Sequence, residues 1–169
     1  MPELRHDLHG RAPERCRGDA AGRDAEQAMS KLTVEEAVAE LDRVFAEEVE
    51  AAIRYLHLGS AVRGLDRLLV ERVLKDGFQE TIQHAEIIAQ KIRSLGHVPK
   101  LEIHVSCPAE PMSAREALRQ ALLFEEAALE CYQDLLRKVE GDVPLEEFVR
   151  SQIAIESEHV AQIKELLAG

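Results

Sequence analysis

The stretch IAIESEHVAQIKELL, residues 153–167, has its apolar side chains at the spacing of an amphipathic helix. Glu156 and His159 lie three residues apart on the apolar side of that helix. Carboxylates and imidazoles in a protein core cost free energy unless they are paired, hydrogen-bonded or bound to a metal. The stretch therefore predicts a buried helix face that carries a polar or metal-binding group.

The composition of the chain favours one all-α domain. Its 169 residues, of which 46% are hydrophobic, are enough for a single sizeable core. Charged residues make up 31% of the chain, Trp is absent, and there are only four Phe and two Tyr, which is typical of long helices. The formal net charge of −11 opposes binding to nucleic acid or to a membrane surface and attracts metal cations.

The cysteines and the N-terminus indicate where the protein resides. Cys16, Cys107 and Cys131 are far apart and form no CxxC pair, so neither a disulfide framework nor a structural zinc site is predicted. No run of about 18 apolar residues and no secretory signal is found. We therefore expect a soluble protein of the reducing cytoplasm.

The chain divides into a tail and a folded part. Residues 1–30 mix charges of both signs with Gly, Pro and Ala, and offer little apolar surface to offset the entropy of ordering. We predict a flexible N-terminal tail over residues 1–30 and a helical bundle over residues 31–169.

Capping signals and helix breakers predict four helices in the bundle. A capping box at Thr33–Glu36 begins the first helix, Gly96 ends the second, and a capping box at Ser113–Glu116 begins the third. Pro144 falls in the first turn of the fourth, where proline is tolerated. The expected ranges are about 33–59, 65–95, 113–141 and 144–169.

The lengths of the connections predict the topology. Short links join helices one and two, and helices three and four, so that each pair is expected to be antiparallel. The link between helices two and three is long and contains prolines. We predict an antiparallel four-helix bundle with one long crossover connection between helices two and three.

A repeat of polar residues marks the buried faces of the first and third helices. Glu48 precedes Tyr55 by seven residues in EVEAAIRY, and Glu125 precedes Tyr132 by seven in EEAALECY. Seven residues is about two helical turns, so each Glu shares an otherwise apolar face with its Tyr. His84 occupies the corresponding face of the second helix.

These residues together predict a metal site in the middle of the bundle. Without a cation, three inward carboxylates would repel one another, and burial would strip water from the carboxylates and from the two imidazoles. Carboxylate oxygens and imidazole nitrogens suit iron, manganese and zinc. The tyrosines are expected to orient the carboxylates by hydrogen bonds. The expected metal ligands are Glu48, His84, Glu125, Glu156 and His159. Tyr55 and Tyr132 are expected to assist any reaction that takes place at the metal.

With this pattern, the sequence resembles the ferritin-like di-iron carboxylate superfamily, and within it bacterioferritin, over roughly residues 33–168. The resemblance implies iron as the metal. It also implies that Glu48 and Glu125 are terminal ligands of the first and third helices. Glu156 would bridge two ions, and His84 and His159 would be the histidine ligands.

The second helix departs from the family pattern. The family carries another bridging Glu at position 81, where this chain has Thr81, which is too short to bridge two ions. Glu80 falls at the edge of the apolar stripe and would reach inward only with a local helix distortion. The resemblance therefore implies one firmly held ion and one loosely held ion. The haem-ligating methionine of bacterioferritin would fall at Ile82, so no haem is expected.

The resemblance implies oxidation of Fe(II) by dioxygen or peroxide, for iron storage or detoxification. One alternative is an oxidase or peroxidase of the rubrerythrin kind without a cage, although the CxxC pairs of a rubredoxin domain are missing. Another is a non-catalytic metal-binding subunit with an impaired site at Thr81. A homo-oligomer, at least a dimer, is expected. The short fifth helix of ferritins that form full cages has no counterpart, which leaves the number of subunits open.

Overall fold

The structure is a computed structural model that describes residues 32–168, and these residues form an all-α bundle of four helices. The predicted fold class is confirmed. Among residues 32–168 the one β-type pairing is an isolated bridge between Val62 and Met112. The tail predicted over residues 1–30 lies outside the described residues. The helices are α1 Val34–Ala61, α2 Arg67–Ser94, α3 Ala114–Lys138 and α4 Val143–Ala168.

The two predicted capping boxes differ in the structure. At Thr33 both bonds are present: the Thr33 amide donates to Glu36 Oε2 at 2.8 Å, and the Glu36 amide donates to Thr33 Oγ1 at 3.2 Å. At Ser113 only the bond from the Glu116 amide to Ser113 Oγ is made. The predicted return bond to the Ser113 amide is not made; the Glu116 carboxylate accepts from Gln120 Nε2, one turn along α3.

The long crossover runs along α1. Asp42 Oδ1 accepts from the Lys100 amide at 2.9 Å, and Glu50 Oε1 accepts from the His104 amide at 2.6 Å. Further along, the Met112 amide donates to the Ala61 carbonyl at 3.2 Å. The crossover thus follows α1 from Asp42 to its end at Ala61, which places the start of α3 beside the end of α1. The predicted crossover between the second and third helices is confirmed.

Buried apolar residues form two clusters, with polar side chains between them. One cluster includes Leu41, Ile88 and Val149, and the other includes Leu74 and Ile163. The buried acidic and histidine side chains fall between the two clusters in the sequence of each helix. The fold therefore surrounds one polar layer with hydrophobic contacts, which makes every charge in that layer costly unless it is neutralised.

Over residues 32–168, no helix has both the length and the apolar character that a lipid bilayer requires.

Candidate metal centre

Four helices contribute the predicted ligands to one place in the polar layer. Glu48 comes from α1, His84 from α2, Glu125 from α3, and Glu156 and His159 from α4. The first four are buried, and the His159 side chain is 15% exposed. The structure therefore brings together all five side chains that the sequence singles out.

The five side chains form two overlapping groups of possible ligands. Glu48, His84 and Glu156 offer atoms that all lie within 4.8 Å of one another, and so do Glu125, Glu156 and His159. Only Glu156 belongs to both groups. Its two oxygens face different imidazoles, with Oε1 2.7 Å from His84 Nδ1 and Oε2 3.6 Å from His159 Nδ1. This shared carboxylate gives the centre the layout of a two-ion site.

The remaining carboxylates flank the two imidazoles. Glu48 Oε2 lies 3.7 Å from His84 Nδ1, and Glu125 Oε2 lies 3.5 Å from His159 Nδ1. The two imidazole rings are nearly parallel, with centroids 5.5 Å apart. Each histidine thus turns its Nδ1 toward a pair of carboxylates. An ion bound by these carboxylates would meet this nitrogen.

The two tyrosines hydrogen-bond to the flanking carboxylates across the bundle. Tyr132 of α3 donates its hydroxyl proton to Glu48 Oε1 of α1 at 2.6 Å. Tyr55 of α1 donates to Glu125 Oε1 of α3. Each glutamate therefore has one oxygen held by a tyrosine and one oxygen turned toward a histidine. The Glu and Tyr that repeat within α1 and within α3 are thus paired between the helices: the Glu of each helix accepts from the Tyr of the other.

The carboxylates differ in their affinity for protons. Burial raises the pKa of Glu48 and of Glu125, and the negative charge of Glu156 adds to the effect. Burial also acts to raise the pKa of Glu156, but its contacts with His159 and His84 outweigh burial and lower this pKa to about 2. Without a metal, Glu156 is therefore the most acidic of the three carboxylates in the layer.

The imidazoles hold their protons well above neutral pH. Contacts with Glu125 and Glu156 raise the pKa of His159 to about 10. Burial acts to lower the pKa of His84, but Glu156 and Glu48 outweigh it and raise this pKa to about 9. In the metal-free protein, protons on two imidazoles thus supply the positive charge that a metal ion would supply in their place.

Glu80 has a position that the sequence did not predict. Its Oε2 lies 3.4 Å from His159 Nε2, on the opposite side of the ring from the buried carboxylates. The Glu80 side chain is half exposed, at the edge of a cavity of about 140 Å³ that is also lined by Tyr55, Gly77 and His159. A carboxylate on the second nitrogen of a metal-binding histidine commonly orients the ring.

Thr81, at the position of the absent bridging carboxylate, is buried but turned toward its own helix. Its hydroxyl donates to the Gly77 carbonyl at 2.7 Å. Ile82, at the position of the haem-ligating methionine in bacterioferritin, is 37% exposed on α2.

The donor set fits iron. Oxygen and imidazole donors from four helices suit Fe(II) and related divalent ions. Among residues 32–168, the buried Glu156 Oε1 has no aligned hydrogen bond even though His84 Nδ1 is 2.7 Å away. The charge contact with His84 thus lacks hydrogen-bond alignment, and a cation between Glu156 and His84 would give this buried oxygen a well-placed partner.

Comparisons with known proteins agree with this geometry. A family model described as a ferritin-like domain matches residues 38–169. A ferritin-like diiron-carboxylate protein from Bacillus anthracis is 25% identical, with a TM-score of 0.71 over 82% of this chain and 99% of that chain. A dodecameric thioferritin, the bacterioferritin-related protein of Bacteroides fragilis, is 23% identical, with a TM-score of 0.71 over 88% and 94%. No curated protein matches the chain significantly.

A third solved structure extends the likeness to bacterioferritin itself. The Desulfovibrio desulfuricans bacterioferritin, described with a diiron site, is 18% identical, with a TM-score of 0.71 over 80% of each chain. The resemblance to ferritin-like di-iron proteins that the sequence predicts is confirmed. The family match and the two ligand groups support an iron-binding, ferritin-like function. Because the family model covers most of its length, the chain belongs to the ferritin-like family.

Proposed function

We propose that the protein binds Fe(II) in the middle of the bundle and oxidises it with dioxygen or peroxide, for iron storage or detoxification. The observation that carries this proposal is the sharing of Glu156 between two ligand groups. A carboxylate placed between two metal positions holds a pair of ions close together, as a two-electron transfer to one oxidant requires. Fe(II) is the substrate in this reaction and gives up one electron per ion.

The residues of the centre take different parts in this proposal. Glu48 and Glu125 are terminal ligands, and the hydroxyls of Tyr132 and Tyr55 hold their outer oxygens in place. Glu156 lies between the two positions. The apolar clusters on either side of the layer keep water from the carboxylates, which strengthens their attraction for cations.

The two metal positions are unequal in this proposal. Each has a terminal glutamate, a histidine and a share of Glu156. Within residues 32–168, only His159 has a further carboxylate, that of Glu80, beside its outer nitrogen. Thr81 supplies no bridging oxygen on the α2 side. The position at Glu125 and His159 is therefore the tighter one, and the position at Glu48 and His84 is the looser one.

An anaerobic Fe(II) titration followed by admission of air tests the proposal. The wild-type protein should oxidise Fe(II) faster than buffer does, as followed by absorbance of the ferric product. Glu156→Gln should reduce both the rate and the amount of bound metal, because it weakens both groups at once. Glu158→Gln, on an exposed position of the same helix, is the matched control and should match wild type. Oxidation no faster than in buffer would contradict the enzymatic proposal.

A non-catalytic metal-binding subunit is the second candidate, and Thr81 is the observation that favours it. The Thr81 hydroxyl is committed to the Gly77 carbonyl and does not face the centre. Under this alternative the protein binds metal in the layer but does not accelerate the oxidation of Fe(II). A rubrerythrin-like oxidase or peroxidase would instead consume dioxygen or peroxide without storing iron, so product analysis separates the three functions.

We also propose that the protein acts as a homo-oligomer, at least a dimer, in the cytoplasm. One support is that a structurally similar protein, the thioferritin of Bacteroides fragilis, is described as dodecameric. Another is the exposure of apolar side chains on α1 and α2, among them Leu56 and Ile82.

A further inference from the structure

Gly77 lies in the interior of α2 without a backbone reason for a glycine. Its φ is not among the positive values found at the glycines of the connections. Glycine in a helix interior is less favourable than alanine, so its presence there calls for a spatial cause. A Cβ atom at this position would lie 2.5 Å from Tyr55 Cζ, 2.6 Å from Tyr55 Cε1 and 2.9 Å from the Tyr55 hydroxyl oxygen. The phenol ring of Tyr55 therefore occupies the space that a side chain at position 77 would need.

The Tyr55 ring is held from a second side as well. Phe124 of α3 packs edge-to-face against it, with ring centroids 4.8 Å apart and an interplanar angle of 84°. Between Gly77 and Phe124, the ring directs its hydroxyl at Glu125 Oε1. The other Glu125 oxygen is 3.5 Å from His159 Nδ1. The packing of Gly77 against the Tyr55 ring thus determines where the Tyr55 hydroxyl lies, and this hydroxyl in turn orients the Glu125 carboxylate.

Open space next to Tyr55 decides what a side chain at position 77 would do. The ring borders the cavity of about 140 Å³ that contains Glu80 and His159. It also borders a second cavity of about 200 Å³, lined by Leu56, Leu74 and Phe78. A ring pushed away from α2 has room on either side, so we expect displacement of the phenol and not collapse of the fold.

We propose that Gly77 is a positioning residue of the metal centre: the absence of a side chain there fixes the Tyr55 hydroxyl on Glu125 and thereby orients the Glu125, Glu156 and His159 group. Glu48 is held separately, by Tyr132, and is not affected. The statement about the metal rests on the proposed function. The statement about Tyr55 and Glu125 concerns the metal-free protein and stands without it.

The first test uses metal-free protein labelled with 3-fluorotyrosine. The chain has two tyrosines, so the fluorine NMR spectrum contains one signal each for Tyr55 and Tyr132. Gly77→Ala should move the Tyr55 signal and leave the Tyr132 signal in place. Gly59→Ala, in α1, is the matched control because a Cβ there meets no other side chain of residues 32–168 within 4 Å. It should move neither signal.

The second test measures Co(II) affinity in the same variants. Loss of an outer hydrogen-bond partner of a metal ligand typically lowers affinity about 10- to 100-fold. Gly77→Ala should weaken the tighter of two binding steps by at least about tenfold, and Gly59→Ala should weaken neither. A shifted Tyr55 signal with unchanged affinity would contradict the positioning role. No Co(II) binding by the wild type would contradict the proposed function itself.

A third test reverses the steric effect. Gly77→Ala should lower the melting temperature of the metal-free protein, whereas Gly59→Ala should not. In the double variant Gly77→Ala, Tyr55→Leu, the shorter side chain removes the clash, so alanine should no longer lower stability relative to Tyr55→Leu alone. If Gly77→Ala fails to fold and the double variant also fails, the clash with Tyr55 is not the cause and the proposal is wrong.

Discussion

At the scale of single residues, Glu156 is the most acidic carboxylate of the metal-free centre. Two imidazoles lower its pKa to about 2, whereas burial raises the pKa of Glu48 and of Glu125. In the metal-free centre, the protonated imidazoles of His84 and His159 therefore offset the negative charge of the carboxylates. A divalent ion must displace these protons, because a protonated imidazole nitrogen has no lone pair for a metal.

Metal affinity should consequently rise with pH. Since the pKa of His84 is about 9 and that of His159 is about 10, both imidazoles are protonated at neutral pH in the metal-free protein. Raising the pH makes proton loss easier, so Co(II) affinity should increase from about pH 6 to about pH 8, roughly tenfold per pH unit for each proton displaced. Calorimetric titrations at several pH values measure this. An affinity that is independent of pH would contradict the protonated histidines.

Replacement of Glu48 by glutamine should stabilise the metal-free protein at neutral pH while weakening metal binding. The pKa of Glu48 is raised in the folded state, so its ionisation above the unfolded pKa favours unfolding. Glu48→Gln removes that penalty and keeps an oxygen for the Tyr132 hydroxyl.

Urea unfolding at neutral pH and near pH 4 measures the effect of Glu48→Gln. The gain in stability should shrink at the lower pH, where most of the wild-type carboxyl is protonated in both states. Glu158→Gln serves as the exposed control. A Glu48→Gln protein less stable than wild type at neutral pH would show that this carboxylate is stabilising.

At the scale of elements, helical spacing predicts which side chains face the core but not how they meet. Glu48, Glu125 and Glu156 were identified because each interrupts an apolar stripe at helical period. The crossed hydrogen bonds of Tyr55 and Tyr132 were not predictable, since they depend on how α1 and α3 are rotated relative to each other. The sequence marks Gly77 only as a glycine inside a long helical pattern, which does not show that Tyr55 packs against it.

α2 is the helix that departs from the family pattern, and Thr81→Glu restores its missing carboxylate. We expect tighter binding of the second ion and faster Fe(II) oxidation, because the looser position gains an oxygen ligand. We also expect lower stability of the metal-free protein, because another carboxylate is buried. Stoichiometry by titration, rates by absorbance and stability by urea unfolding measure the three effects. Unchanged stoichiometry and rate would show that Thr81 does not limit the centre.

At the scale of the whole molecule, two apolar clusters enclose one polar layer, and the crossover is fastened to α1 by Asp42 and Glu50. The fold class followed from composition, helix length and the length of the connections. The oligomeric state did not follow from these features, because it depends on the exposed faces of the helices and not on their helical period. Exposed apolar residues on the outside of α1 and α2, including Ile53, Leu56 and Ile82, favour a further interface.

Sedimentation velocity tests the assembly, with Leu56→Glu as the variant. Leu56 is 59% exposed in the single chain, so the substitution should leave the helical fold intact, as checked by circular dichroism. A charge buried in an interface is strongly unfavourable, so Leu56→Glu should shift the protein toward smaller species. Glu158→Gln should not. A wild-type protein that sediments as a monomer would rule out the proposed oligomer.

The most direct measurement is anomalous scattering at the iron edge from crystals soaked anaerobically in Fe(II). A strong iron peak is expected among Glu125, Glu156 and His159, and a weaker one among Glu48, His84 and Glu156. Iron found only on the protein surface, with no peak in the polar layer, would contradict the metal centre and every function built on it.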